Sequence, residues 1–231
     1  MRLDRMLSNA HAGTRSQVKK LVKEKRVKVN GVLAKTSSMQ IDEVNDEVTL
    51  DDIPVIYEEH MYLMLHKPAG YISATEGNVP TVMDLIYEDN NGLFPCGRLD
   101  KDTEGLLLIT NDGPLAHTLL SPKHHVEKEY YVEHALDMSE DDIVRLQSGI
   151  SYNGESYKPA KVNMITPRSC TLTITEGKYH EIKFMFQALG DKVTYLKRLR
   201  MKNLVLDESL KPGEYRYLTE EEIADLKADE Q

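Results

Sequence analysis

The residues best suited to chemistry lie in a polar loop directly ahead of an apolar run. The loop spans residues 97–105 and contains Arg98, Asp100 and three further charged side chains. The aliphatic residues 106–109 follow, and Asp112-Gly113 closes the run, so the pattern predicts a buried strand that ends in a turn. Asp100 is thereby placed just before a strand of the core. A carboxylate in that position needs a cationic partner or hydrogen bonds to stay charged.

The loop allows two interpretations. Charged residues ahead of a strand commonly form a solvated loop with no chemical role. Alternatively, the loop presents Asp100 as the acid of a functional site, for which the rest of the chain must supply a cation. Composition alone leaves both open.

Length and composition bound the possibilities. A chain of 231 residues holds one domain, or a large domain and a small module. The longest apolar run, near residues 105–109, is too short to span a bilayer, and the amino terminus lacks the apolar core of a signal peptide. Cys96 and Cys170 fit neither a zinc signature nor a disulfide framework. We therefore expect a soluble, cytoplasmic protein.

The net charge of −9 conceals a strong asymmetry along the chain. Residues 1–36 contain ten Lys and Arg but two Asp and Glu, a balance of +8, whereas the remainder has a balance of −17. This distribution indicates a basic recognition module followed by a domain of a different kind.

The basic module has clear local signals. Leu3, Met6 and Leu7 predict a short helix, and Thr14 with Gln17 forms the capping box of a second, basic amphipathic helix. A hairpin then turns at residues 30–31, which are Asn-Gly. The lysines of the second helix either solubilise the protein or bind nucleic acid. Their clustering within an acidic protein favours nucleic acid.

The segments Arg-Leu-Asp-Arg-Met-Leu at residues 2–7 and Arg-Val-Lys-Val-Asn-Gly at residues 26–31 resemble the RNA-binding domain of ribosomal protein S4. The resemblance covers residues 1–52 and implies a module that docks on RNA. Phosphate contacts of this kind position an RNA without reading its sequence. The residues implied as phosphate contacts are Arg2, Arg5, Arg15, Ser16, Lys19, Lys20 and Arg26.

Residues 53–60 are predicted as a linker, and residues 61–231 as the second domain. Within that domain, Lys128-Glu129-Tyr130-Tyr131-Val132 predicts a strand with one tyrosine on each face. Alternating residues at 161–165 and 170–174 predict antiparallel strands. A helix follows at residues 181–189, with apolar residues at i, i+3, i+4 and i+7. Lys183 lies at the border of the apolar stripe of this helix, where its side chain either reaches water or enters a cleft.

Four motifs of the second domain resemble the RsuA-type ribosomal RNA pseudouridine synthases. They are Gly-Arg-Leu-Asp with its aliphatic run and Thr-Asn-Asp-Gly, Lys-Pro-x-Gly at 67–70, Lys-x-Tyr at 128–130, and Glu-Gly-Lys-Tyr-His-Glu-Ile-Lys-x-Met-Phe at 176–186. The implied fold class is α+β: a small α/β RNA-binding module, then a mixed, mainly antiparallel-sheet synthase domain with flanking helices. Relatives often carry a basic residue after Lys183, where this chain has Phe184.

The resemblance implies isomerisation of uridine to its C-glycoside, on a nucleotide flipped out of its helix. Arg98 would fill the gap left by the base. Asp100 would act either as a covalent nucleophile or by promoting loss of uracil, and both routes stay open. Tyr130 would stack on the base and exchange a proton, and Lys183 would keep Asp100 ionised. Leu172 would pack against the uracil ring.

Several further expectations complete this interpretation. A basic cluster either meets the RNA backbone or lines a solvated strand face, and its members are Lys197, Arg198, Arg200 and Lys202. Asp102 and Glu104 are assigned to the loop. The reaction requires no cofactor and no metal. The expected partner is ribosomal RNA or a ribosomal subunit assembly intermediate. The Lys-Tyr-His sequence of the last motif resembles enzymes that act on small-subunit RNA more than those of the large subunit. The protein is expected to be a monomer.

Two other functions compete with the isomerase. A non-catalytic RNA-binding or ribosome-assembly factor would need the basic module but no acid at Asp100. A hydrolase with an aspartate nucleophile would want a second carboxylate, for which Asp102 and Glu104 are candidates. The combination of Asp100, Tyr130 and Lys183 favours the isomerase over both.

Overall fold

The computed structural model describes residues 1–10, 12–55, 57, 60–88 and 92–228. The chain divides into two compact units, Met1–His60 and Met61–Gln231. No helix in the described ranges is long and apolar enough to cross a membrane.

The first unit combines two helices with a four-stranded antiparallel sheet, whose strands lie in the order Val32–Leu33, Val27–Val29, Val48–Leu50 and Ile53–Pro54. Thr14 and Gln17 form the predicted capping box, with hydrogen bonds of 2.8 and 3.3 Å. Asn30 and Gly31 both have positive φ, as a type I′ hairpin turn requires. The elements are α1 (Leu3–Asn9), α2 (Arg15–Lys23), β1 (Val27–Val29), β2 (Val32–Leu33), β3 (Val48–Leu50) and β4 (Ile53–Pro54).

The predicted linker begins inside the first unit. Ile53–Pro54 pairs with β3 through Thr49 and Leu50, so the chain is still in the sheet where the sequence suggested an exit. Residues 56, 58 and 59 of that linker lie outside the described residues.

The second unit is built on one large sheet with helices on its faces. Two short 3₁₀ helices, Val82–Leu85 and Pro122–His124, lie in its connections. The elements are β5 (Tyr62–Lys67), β6 (Phe94–Pro95), β7 (Glu104–Thr110), α3 (Gly113–Leu120), β8 (Lys128–His134), α4 (Glu140–Ser148), β9 (Ile150–Tyr152), β10 (Glu155–Tyr157), β11 (Lys161–Thr166), β12 (Ser169–Ile174), α5 (Glu181–Ala188), β13 (Val193–Met201), β14 (Leu204–Val205), β15 (Tyr215–Tyr217) and α6 (Glu220–Lys227).

The main strand order is β11-β12-β8-β13-β7-β5-β15, with β14 beside β13 and β6 beside β7. Strands β7 and β13 run parallel, and the other described pairs of this sheet are antiparallel. The predicted mixed, mainly antiparallel α+β fold is confirmed.

Strand β7 is buried on both faces, which explains its unbroken aliphatic sequence. Leu107 and Ile109 belong to the core cluster that includes residues of α4 and α5. Leu106 and Leu108 belong to the opposite cluster, which includes residues of α3 and α6. The strand therefore gives a rigid support to the loop that precedes it.

Gly105 allows β7 and β13 to approach closely. A Cβ at this position would lie 2.2 Å from the carbonyl oxygen of Arg198, and the φ of Gly105 is +105°. Only glycine accommodates both the contact and the backbone conformation. The glycine therefore sets the distance between the polar loop and Arg198.

Asp112 follows the predicted buried strand and is the N-cap of helix α3. Its Oδ1 accepts a hydrogen bond of 3.0 Å from Leu115 N, and Tyr62 Oη donates one of 2.7 Å to Oδ2. The Asp-Gly pair therefore caps α3, because an aspartate side chain satisfies a free amide of the first helical turn.

Candidate active site

Lys67 anchors the loop that carries Asp100. Its side chain is fully buried beneath the loop, and Nζ donates hydrogen bonds to the carbonyls of Thr103 at 2.6 Å and Lys101 at 3.3 Å. Burial lowers the pKa of Lys67 to about 8, although nearby acids such as Asp102 oppose the shift. The lysine of the Lys-Pro-x-Gly motif thus supports the loop by binding its backbone carbonyls.

Two further contacts fix the loop backbone next to Asp100. Ser73 Oγ donates to the carbonyl of Leu99 and accepts from its amide, both at 3.0 Å. Gly70 N donates to Lys101 O at 2.7 Å. Asp100 is therefore held between two residues whose backbone groups are bound to other segments.

The Asp100 carboxylate lies beside two basic side chains. Lys183 Nζ is 2.9 Å from Oδ2, and His180 Nε2 is 3.4 Å from Oδ1. Lys183 Nζ also lies 2.7 Å from Asp102 Oδ1. Burial alone would lower the pKa of Lys183, but its hydrogen bonds to Asp102 and Asp100 outweigh burial and raise it. The ammonium therefore stays charged between two carboxylates.

Helix α5 positions Lys183. Ile182, Met185 and Phe186 are buried in the core, so the helix presents Lys183 at the edge of its apolar face. His180 precedes the helix in the left-handed conformation, and its ring stacks on that of Tyr179 with centroids 3.8 Å apart. The basic side chains thus come from the start of one helix.

A cavity of about 330 Å³ opens beside Asp100 and Lys183. Tyr130, on β8, lines it and is 6% exposed, while Arg98 lies exposed at its edge. Burial raises the pKa of Tyr130, and the neighbouring Arg198 partly offsets this effect. Residues from three segments that are distant in sequence therefore meet around one cavity.

Lys128, the first residue of Lys-x-Tyr, lies in the wall of the same cavity. Its Nζ donates to the carbonyls of Val126 at 3.0 Å and Glu176 at 3.3 Å. Burial lowers the pKa of Lys128 to about 8. The lysine ties β8 to the segment that leads into α5.

Leu172 does not line the cavity, contrary to the sequence expectation. It is fully buried in β12, directly opposite Tyr130 in the strand register. Ile174, two residues further along the same face, lines the cavity with Leu196. Ile174, and not Leu172, is therefore the residue of β12 that reaches the cavity.

Arg198 is also placed differently from the expected exposed cluster. It is 2% exposed, lines the cavity, and donates a hydrogen bond of 2.7 Å from Nε to Leu106 O. Lys197 is half-buried, and Arg200 pairs with Glu127 and Glu129 at 3.0 Å. The cluster lies on a central strand, which explains why Arg198 is buried and Arg200 is paired with acids.

Three buried polar atoms of cavity-lining residues have no hydrogen-bond partner within the described part of the chain. They are Thr103 Oγ1, Glu181 Oε1 and Arg198 Nη2. The other carboxylate oxygen of Glu181 accepts from Gly177 N and Lys178 N at 2.7 Å. Unpaired buried polar atoms are costly, so their concentration here indicates a polar ligand.

Sequence reasoning missed His180, Asp102, Lys67 and the buried role of Arg198. His180 and Lys67 lie inside motifs that had been quoted, so the motifs carried a signal that was not used. No signal in the sequence pointed to the role of Asp102, because its contact with Lys183 joins residues 81 positions apart.

The first unit gathers part of the predicted phosphate-contact set around a cavity of about 540 Å³. Arg5 lines a neighbouring cavity, together with Arg2 and Arg15. Lys20 lies outside both cavities, 77% exposed and 3.8 Å from Glu24. The basic and hydroxyl residues of the larger cavity are Arg2, Arg15, Ser16, Lys19, Lys23, Lys35, Thr36, Ser37 and Ser38.

Arg26 is paired with an acidic side chain, as Arg2 is with Asp4. Its guanidinium binds Asp51 through two hydrogen bonds of 2.9 and 2.5 Å and lies 3.6 Å from Glu24. These acids raise the pKa of Arg26 and occupy its donors. A phosphate would have to compete with these acids for the guanidinium, and the contact of Arg26 with RNA stays a prediction.

A basic first unit and a cavity that gathers an acid, an ammonium and a tyrosine together define an RNA-modifying enzyme. Residues 1–48 match the S4 domain model, and residues 61–188 match the RNA pseudouridylate synthase model. The chain belongs to the RNA pseudouridine synthase family, whose members isomerise uridine in RNA. The family predicted from the motifs is confirmed.

Full-length relatives support this assignment. The chain is 49% identical to the uncharacterized RNA pseudouridine synthase YtzG of Bacillus subtilis, over 96% of this chain and 97% of that protein. It is 42% identical to ribosomal small subunit pseudouridine synthase A of Haemophilus influenzae, over 98% and 99%. A crystal structure of a pseudouridylate synthase matches 98% of this chain and 99% of its own, with 41% identity and a TM-score of 0.70.

Proposed function

We propose that this enzyme converts a specific uridine of small-subunit ribosomal RNA to pseudouridine, with Asp100 as the reacting carboxylate. The observation that carries the proposal is the position of Asp100, which lies 2.9 Å from Lys183 Nζ at the edge of a cavity lined by Tyr130. The choice of RNA follows relatives named for the small ribosomal subunit, such as the Haemophilus influenzae protein.

Access to the target requires the nucleotide to leave its stack, at a cost of a few kcal/mol. Arg98 is exposed at the cavity edge, where its planar guanidinium can occupy the space vacated by the base and contact phosphate. The flipped uracil then enters the cavity beside Asp100.

The reaction breaks the bond from C1′ to N1, turns the base and forms a bond from C1′ to C5. The C5 proton leaves and N1 gains a proton, so no atoms are added or lost. Asp100 acts on the nucleoside as nucleophile or by promoting loss of uracil. Lys183 orients that carboxylate, and its raised pKa keeps the cation available. Tyr130 stacks on the base, and its raised pKa keeps its hydroxyl protonated before any proton exchange with the nucleoside.

The polar edge of uracil offers two carbonyl acceptors and one N–H donor. Arg198 Nη2, a buried donor without a partner among the described residues, donates to a uracil carbonyl in this proposal. Glu181 Oε1 and Thr103 Oγ1 supply the remaining polar contacts. Ile174 and Leu196 take the role first given to Leu172, against the ring.

The S4 domain docks the enzyme on ribosomal RNA or on a subunit assembly intermediate, using Arg2, Arg5, Arg15, Ser16 and Lys19 as phosphate contacts. Lys20, Lys197 and Arg200 add charge near the RNA. The enzyme acts as a monomer in the cytoplasm, where its buried thiols, Cys96 and Cys170, remain reduced.

The test is to map pseudouridines of the small-subunit RNA in cells that lack this protein and in cells that regain it. One modification should disappear on deletion and return with the wild-type chain but not with Asp100→Asn, while Asp100→Asn keeps its affinity for RNA. Asp137→Asn, at an exposed carboxylate paired with Arg168, is the control and should restore the modification. Restoration by Asp100→Asn, or an unchanged map on deletion, would overturn the proposal.

A further inference from the structure

A second cavity in the unit Met61–Gln231, of about 430 Å³, has mainly aromatic walls. Tyr152, Tyr157, Tyr179 and Phe184 line it, although the whole chain has only three Phe and twelve Tyr. None of these four residues lines the cavity beside Asp100. The aromatic cavity is therefore a separate feature of this unit.

The rings of the aromatic cavity form an ordered surface. Tyr152 and Phe184 stack with centroids 5.7 Å apart and an interplanar angle of 27°. Tyr179 meets Phe184 edge-on at 6.3 Å, yet Tyr179 remains 71% exposed. A tyrosine that packs this little of its surface contributes little to the core, so its exposed ring is available to a ligand.

The aromatic cavity lies next to the active site. Lys178 lines both cavities. Tyr179 stacks on His180 at 3.8 Å with an interplanar angle of 17°, and His180 Nε2 lies 3.4 Å from Asp100 Oδ1. A ligand on Tyr179 would therefore sit two side chains away from the catalytic carboxylate.

The charges at the aromatic cavity argue for a base rather than a phosphate. Lys178 Nζ pairs with Glu155 at 2.8 Å, donates to Ser156 O at 2.7 Å and lies 5.5 Å from the Tyr157 ring centroid. Its charge is thus already neutralised, and the lysine serves to hold the hairpin of β9 and β10 against the segment before α5. Phe184 adds an uncharged ring to the wall of this cavity.

We propose that the aromatic cavity receives the base of a nucleotide adjacent to the target uridine. The inference rests on the proposed function, because flipping one uridine unstacks its neighbour as well. Unstacked bases of single-stranded RNA bind by stacking on aromatic side chains, with little dependence on sequence. The cavity replaces the lost stacking and holds the strand while the uracil reacts.

The test measures binding of single-stranded RNA pentamers with one central uridine to the full chain. One pentamer carries all its bases, and two others have an abasic nucleotide at the 5′ or 3′ neighbour of the uridine. Loss of one of these bases should raise the Kd of the wild type about tenfold, the range expected for one stacked base. In Tyr179→Leu the ratio of Kd values should fall close to one.

Two variants serve as controls. Tyr179→Phe keeps the ring and should keep the ratio, and Tyr87→Leu alters an 87% exposed tyrosine outside both cavities and should also keep it. A wild-type ratio of one for both abasic pentamers, or an unchanged ratio in Tyr179→Leu, would overturn the inference. Binding of the pentamers needs no isomerisation. The stacking inference can therefore fail while pseudouridine formation is confirmed, and stacking can be confirmed while pseudouridine formation is not observed.

Discussion

Lys183 Nζ lies 2.7 Å from Asp102 Oδ1, so the cation that pairs with Asp100 is shared with a second carboxylate. Partial burial would raise the pKa of Asp102, but the hydrogen bond and charge of Lys183 lower it. The side chain of Asp102 is nevertheless 73% exposed, whereas that of Asp100 is 25% exposed. Asp102 thus faces water and restrains Lys183 from outside the cavity.

Asp102→Asn should slow isomerisation by no more than about fivefold, because exposed ion pairs contribute at most about 1 kcal/mol. The rate of pseudouridine formation under single-turnover conditions measures the effect, with Asp137→Asn as the control for the loss of an exposed carboxylate. A loss as large as that of Asp100→Asn would show that Asp102 takes part in the chemistry.

Lys183→Met should slow the reaction by at least about a hundredfold, in the range seen when one preorganised charge partner is removed. The substitution leaves two carboxylates without the ammonium that lies within 2.9 Å of both. Lys183→Arg keeps a cation and should retain part of the rate. If Lys183→Met and Lys183→Arg behaved alike, the charge would not be the relevant property.

Lys67 should make the stability of the protein depend on pH in alkaline solution. Its pKa is about 8 in the folded state, below the ordinary value of 10.5. Below pH 8 the lysine is protonated in both states. Between pH 8 and 10.5 the unfolded chain binds a proton that the folded chain has released, so stability rises with pH.

The measurement compares urea unfolding of the wild type and Lys67→Met from pH 7 to pH 10. Lys67→Met should be less stable throughout, because it leaves the carbonyls of Thr103 and Lys101 without their donor. The difference between the two proteins should widen above pH 8. Lys211→Met removes an exposed lysine and is the control. A gap that narrows above pH 8 would contradict the assigned direction.

Features specified by local chemistry could be predicted from the sequence. The capping box of Thr14 and Gln17, the hairpin turn at Asn30 and Gly31, and the buried strand at residues 106–109 each depend on neighbours within a few positions. The roles of Asp100, Tyr130 and Lys183 came from motif resemblance, and the fold brings these residues together around one cavity.

Features specified by strand register could not be predicted. Arg198 is buried because β13 pairs in parallel with β7, which brings Arg198 Nε to the carbonyl of a residue 92 positions earlier. The exchange of Leu172 for Ile174 depends on how far along β12 the cavity opens. Neither the pairing of β7 with β13 nor the position of the cavity along β12 is encoded in a short segment of the sequence.

Gly105→Ala should destabilise the protein by about 3 kcal/mol, combining the strain of a positive φ with the overlap of the new Cβ. That Cβ would lie 2.2 Å from Arg198 O, which belongs to the backbone of a central strand and has little freedom to move. Gly113→Ala is the matched control, since nothing lies within 4 Å of its Cβ position. Urea unfolding measures both variants, and equal effects would show that the close approach of β7 and β13 is not limiting.

Lys19→Gln should weaken RNA binding and reduce the slope of log affinity against log salt by about one, because each phosphate contact releases counterions. Lys19 lines the basic cavity of the first unit. Arg26→Gln is the matched control, because its guanidinium is already bound to Asp51. The slope of Arg26→Gln should stay close to that of the wild type. If Arg26→Gln lowered the slope as much as Lys19→Gln, the RNA-binding surface would include the side of the unit near Asp51. The assignment of the phosphate contacts to the cavity lined by Arg15 and Lys19 alone would then be wrong.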